Sequence, residues 1–157
     1  MSAFTLENPA FRNYAFATGL LGLKMVSLNV SIISIRVWNN NYSTPEDAIF
    51  PTIMNTVTFG KWSKTCDEKA GSYYIHRLNA ALNHDVVHVP MLLVLGLTWV
   101  ATCKPSQETS FRVFSQVVVA RYGHALVYVA GLQPFRILTH LGGLAAAAEM
   151  AIGILLA

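Results

Sequence analysis

At 157 residues the chain is long enough for one soluble core, but with 54% hydrophobic and only 12% charged residues it has about half the roughly 25% charge of a soluble domain. The net charge of +3 and the pI near 9.0 come from basic residues scattered among apolar runs rather than set in a stripe. That argues against a nucleic-acid partner and fits a positive-inside bias instead.

The composition therefore predicts an all-α membrane protein, one domain over residues 1–157, with mean hydropathy +0.44. Cys66 and Cys103 suggest neither a disulfide framework nor a zinc cluster. Four stretches reach the roughly 20 apolar residues that a bilayer crossing needs. The first runs from about Phe11 to Trp38. It is longer than a signal-peptide core and lacks a small-residue exit site, so it reads as a span. A loop over about 39–72 follows, holding Pro45, Pro51, Gly60 and most of the charges. The second span covers about 73–102 and ends at the polar turn Lys104-Pro105-Ser106. The third covers about 111–131, a tight turn lies between Gly131 and Pro134, and the fourth covers about 135–157. All four are expected to be helices, because lipid tolerates helices or closed barrels and no alternation of period two is present. The small-residue run from Gly142 to Ala148 reads as close helix packing.

One side of the membrane receives Arg36, Lys61, Lys64, Lys69, Arg77 and Arg136, and the other Arg12, Lys104 and Arg112. This excess predicts a cytosolic 39–72 loop and lumenal termini. It also separates Cys66 from Cys103.

Ionisable groups inside a span are expensive, so each is a candidate site. Span 1 carries Lys24, Ser27, Ser31 and Ser34 on one face, with Asn29 and Arg36 on another. The serines read as packing residues. Span 2 is polar on three faces at its start: His76, Asn79 and Asn83 on one, Arg77, His84 and His88 on a second, Asp85 on a third. Such a half-helix is expected to line a cavity or an oligomer axis. His84-Asp85-Val86-Val87-His88 has the i, i+4 spacing of a zinc-binding pair with Asp where a zincin has Glu. A third ligand would have to come from His124 or His140. The preferred reading is a pair hydrogen-bonded within the bundle, and no metal is expected. Span 3 sets Arg121, His124 and Tyr128 on one stripe, and span 4 opens with Arg136, with His140 one turn on. Arg36, Asn83, Tyr128 and Arg136 thus meet at the cytosolic end, where guanidinium forks suit an anion and would favour a thiolate. Glu149 and Lys24 lie at similar depth and are expected to pair.

Asn8-Pro9-Ala10-Phe11, Lys24-Met25, Arg36, Pro45-Glu46-Asp47-Ala48, Asn83 with Pro90 seven residues on, Ala120-Arg121 with His124 and Tyr128, and Arg136 beyond a short turn together resemble the membrane-associated eicosanoid and glutathione metabolism superfamily, MAPEG. The resemblance covers nearly the whole chain. It implies a left-handed four-helix bundle in a homotrimer, with glutathione as co-substrate bound between subunits near the cytosolic face. A lipophilic partner would arrive from the membrane, endoplasmic reticulum in the first place, with mitochondrial or other organelle membranes as alternatives. By likeness, Arg136 would stabilise the glutathione thiolate, Arg36, Asn83, Tyr128, His124 and Arg77 would line the tripeptide site, and Asp47 would support Arg136. The chain departs from the superfamily in span 2. Asn79 stands where an arginine is expected, and Val86 stands where a glutamate would accept the glutathione amine.

Two functions follow. One is a glutathione-dependent transferase or peroxidase acting on lipophilic electrophiles or lipid peroxides, supported by Arg36, Asn83, Tyr128 and Arg136. The other is a catalytically silent subunit of a larger membrane assembly, supported by Asn79, Leu82 and Val86. Whether the chain is an enzyme stays open at the level of sequence.

Overall fold

The computed structural model describes residues 4–39 and 68–157. Asp47 with its Pro45-Glu46-Asp47-Ala48 motif, Cys66, Lys61, Lys64 and Gly60 lie outside the described residues. Among the described residues four helices make up the fold: α1 Pro9–Asn39, α2 Glu68–Cys103, α3 Gln107–Ala130 and α4 Gln133–Leu156. Each is long and apolar enough to cross a bilayer, and the chain is a multi-pass membrane protein.

Local chemistry sets the helix ends. The Asn8 side chain accepts from the Ala10 amide at 3.0 Å, with Pro9 in the first helical position, where a missing N–H is harmless. Ser106 caps α3 by accepting from the Thr109 amide at 3.2 Å. Gly131 ends α3 at φ 78°, a left-handed value that suits glycine. Its amide donates to Tyr128 O, and that of Leu132 donates to Val127 O. Gln133 and Pro134 then start α4, so the expected tight turn is present. Helices α2 and α3 begin several residues before the apolar stretches at Tyr73 and Phe111. Hydropathy marks the lipid-facing part, whereas the helix continues through polar residues that propagate it equally well.

Helix α1 packs on α2 and α3, α4 packs on the same two, and α2 also touches α3. The apolar core divides into two clusters along the bundle. The larger holds Leu21, Trp99, Val100, Phe114 and Met150, and the smaller holds Leu28, Ile32 and Leu78. Between them lies a polar layer formed by Lys24, Asp85, Arg121 and His124, all buried.

Interhelical hydrogen bonds fix the register. Tyr122 Oη donates to Leu20 O at 2.8 Å, Gln116 Nε2 to Gly142 O at 3.0 Å, and Asn13 Nδ2 to Ser110 Oγ at 2.9 Å. Bonds of this kind contribute about 0.6–2 kcal/mol each in a bilayer.

Two expectations about span 1 are corrected. Ser27, Ser31 and Ser34 are exposed on this chain and donate to carbonyls of their own helix, Lys24 O, Ser27 O and Val30 O. A hydroxyl one turn from a free carbonyl lone pair satisfies itself locally. Lys24 does not pair with Glu149. Its Nζ lies 2.6 Å from Asp85 Oδ2, with the two side chains 3% and 0% exposed, and it also donates to Arg121 O at 2.6 Å. Glu149 instead takes a two-pronged contact from Arg112 on the outside of the bundle. Depth alone allowed either partner, and the direction each side chain takes around its helix decided between them.

Candidate functional site

The residues that the sequence was expected to gather at one end of the bundle do not all converge. Arg77, Tyr128 and Arg136 line one small cleft, together with Val127, Gly131 and Leu132. The Arg136 guanidinium stacks over the Tyr128 ring, 4.8 Å from its centroid, a cation–π contact that leaves the N–H edges free to meet a ligand. Among the described residues Arg136 makes no ion pair.

Arg77 is more firmly engaged. Its Nη1 donates to Tyr128 O at 3.0 Å, and its guanidinium lies 4.5 Å over the Tyr73 ring. It therefore holds the carboxyl end of α3, where a cation is favoured by the helix dipole. Gly131 makes this possible, since a Cβ there would come within 2.7 Å of Arg77 Nη1. One glycine thus serves both the turn and the approach of the arginine.

Arg36, half-buried, and Asn83, exposed on α2, do not line this cleft. With a volume of about 10 Å³, the cleft has room for one water and not for a tripeptide within a single chain. A larger apolar groove of about 340 Å³ runs between α1 and α3, with Arg12, Phe16 and Phe111 on its walls. It lies at the opposite end of the bundle, away from Arg136.

One turn deeper than the cleft is a cluster of four histidines that the sequence raised only as a His84/His88 pair with His124 or His140 as a candidate third ligand. His84 and His88 of α2, His124 of α3 and His140 of α4 bring their rings together. His84 is 4.2 Å from His88, 4.4 Å from His124 and 5.2 Å from His140, centroid to centroid. His124 also stands 5.8 Å from Tyr128, which joins the cluster to the cleft. The expected hydrogen-bonded pair is not what forms, since Nδ1 of His84 and of His88 are both buried without a hydrogen-bond partner.

Arg121 sits behind this cluster, 1% exposed, with all three guanidinium nitrogens lacking a hydrogen-bond partner. Gly143 leaves it space, since a Cβ there would lie 2.7 Å from Arg121 Nη2. Sequence reasoning did not single out Asp85 and Arg121 as core residues, although one signal was available for Asp85. It interrupts an otherwise apolar stripe of Ile75, Leu78, Ala81, Val89 and Leu92, all buried. A carboxylate at that register has to meet a buried cation.

The fold and the cleft define a multi-pass helical membrane protein with two arginines and a tyrosine at one end of the bundle. Residues 14–156 match the MAPEG family, and the chain belongs to it. A comparison with curated individual proteins gave no match.

Proposed function

We propose that this chain is a glutathione-dependent transferase or peroxidase acting on lipophilic electrophiles or lipid peroxides. The observation that carries the reading is Arg136, a guanidinium backed by the Tyr128 ring at 4.8 Å, unpaired among the described residues, in a chain of the MAPEG family. A guanidinium beside a thiol favours the thiolate, and the thiolate is the nucleophile in the attack on an electrophilic centre. Tyr128 would hold Arg136 in place, while Arg36 would grip a carboxylate in bidentate fashion.

The homotrimer belongs to the same proposal. On α2 His76, Asn83, Val87 and Val94 are exposed along one face of the single chain. The polar half of such a face is costly against lipid. A neighbouring subunit would cover it, bring Asn83 beside a cleft and enlarge the site beyond what one chain encloses. Glutathione would then lie on the cytosolic side, with the lipophilic partner entering from the bilayer.

A second reading, a silent subunit of a larger assembly, is favoured by one observation. Leu82 packs with Leu28, Ile32 and Leu78 in the smaller apolar cluster, so this part of α2 serves the core where the family pattern would place charge.

Equilibrium binding of glutathione to the detergent-purified protein separates the two. The expected result is micromolar to low-millimolar binding that Arg136→Ala weakens roughly 10- to 100-fold, the effect of losing one charge-assisted contact. Absence of binding at cellular glutathione concentrations, in a sample that keeps its oligomeric state, would overturn the enzyme reading in favour of the silent subunit.

A further inference from the structure

We infer that His84, His88 and His140 form a binding site for a first-row divalent transition metal of the zinc class. One imidazole nitrogen from each of these three residues lies within 4.8 Å of those of the other two. Two come from α2 at i, i+4, which places them on one face a turn apart, and the third comes from α4. A tetrahedral ion holds its nitrogens about 3.4 Å apart at metal–nitrogen distances near 2.1 Å, and modest ring rotations reach that spacing.

Hydrogen bonding gives the second, independent argument. Nδ1 of His84, His88 and His140 are each buried without a hydrogen-bond partner. Orphaned buried polar atoms are few in native proteins and call for an explanation. A metal ion bound through Nδ1 of each residue would satisfy all three at once. The donor set fits the class, since neutral imidazoles suit zinc, copper and nickel, whereas calcium and magnesium require oxygen.

The charges nearby determine the coordination. Three imidazoles bring no charge, and Arg121 lies within electrostatic reach of His84 and His88. Asp85 reaches both Arg121 and His88 and offsets part of that charge, although it is already paired with Lys24. A dication here therefore takes an anionic fourth ligand, such as hydroxide or chloride, on its open side. His124 stacks on His84, and its Nδ1 stands 3.4 Å from Thr139 Oγ1. It forms a wall of the site and orients His84.

The test uses full-length protein without a histidine tag, stripped with chelator and titrated with Zn²⁺ and Co²⁺. One Zn²⁺ per chain is expected, and the Co²⁺ form should show the intense visible absorption of four-coordinate nitrogen ligation. His88→Gln and His140→Ala should each weaken Zn²⁺ binding by more than about 100-fold, beyond the effect of changing a merely supporting residue. His76→Ala, on the same helix and exposed, should leave it unchanged. Should His140→Ala fail to fold, the His88→Gln variant and the wild-type Co²⁺ spectrum still decide. Binding that falls equally with His76→Ala, a six-coordinate Co²⁺ spectrum, or no stoichiometric binding would overturn the site.

Discussion

Replacing Asp85 with leucine is expected to destabilise the bundle by about 3–5 kcal/mol, the effect of stripping one partner from a buried ion pair. Asp85 is fully buried and lies 2.6 Å from Lys24 Nζ. Without it the polar layer holds two cations, Lys24 and Arg121, 3% and 1% exposed, and among the described residues no buried anion to balance them. Lys24→Met should cost less, because Asp85 still lies within reach of Arg121. The double variant Lys24→Met/Asp85→Leu should recover a large part of the loss of Asp85→Leu, with a coupling energy of about 1–3 kcal/mol. Thermal unfolding in detergent, followed by the fluorescence of the tryptophans, one of which is the buried core residue Trp99, gives the four corners of the cycle. Equal losses in the two single variants would show that Arg121 does not balance Asp85. Additive losses would show that Lys24 and Asp85 do not interact.

The second large effect is expected at Gly96. A Cβ built there comes 2.9 Å from Phe114 Cε1 and 3.3 Å from Tyr14 Cδ2. The Phe114 ring has little freedom to move, since Tyr14 stands edge-on at 5.7 Å and Trp99 at 5.9 Å. Any side chain at this position meets aromatic atoms from its first carbon. Gly96→Val should therefore cost about 3 kcal/mol, the upper range for overpacking a core. The gain of up to about 1 kcal/mol from removing a helical glycine will not offset this. Phe114→Ala in the same chain opens the space and should return part of the loss, which distinguishes a local clash from a general intolerance of α2. Gly142→Ala provides the contrast. Its nearest neighbour would be Ala120 Cβ at 3.6 Å, an ordinary contact, so the variant should be as stable as the parent or slightly more so. If Gly96→Val unfolds at the parent temperature, the close approach of α2 to the α1–α3 aromatic pair is wrong.

These two sites show where reading the chain stops. Gly96, Gly142 and Gly143 are all glycines within apolar helices, and nothing in their neighbouring residues distinguishes them. Gly142 faces ordinary contact, Gly143 accommodates Arg121 and Gly96 accommodates Phe114. The distinction depends on residues 18 to 22 positions away in sequence, brought close by the crossing of two helices.

The same holds for the candidate site. Tyr128 and Arg136 were legible because they flank one short turn, and a chain that reverses at Gly131 brings α3 and α4 residues together whatever the rest does, whereas Arg77 reaches the same cleft from α2. Arg36 and Asn83 have no such local tie, and the single chain does not bring them to the cleft. His124 was assigned to the glutathione site by resemblance, yet it faces both Tyr128 and the histidine cluster.

By itself the sequence determined that this protein spans the membrane with four helices, because scarcity of charge and the length of each apolar run are properties of the chain alone. It also determined the turn at Gly131 and the polar character of α2. Only the tertiary structure decided that Lys24 meets Asp85 rather than Glu149, that His84 and His88 are joined by His140, and that Arg77 closes α3. Residues at one depth on different helices are equivalent until each helix has a rotation about its axis, and packing against the other three helices fixes that rotation.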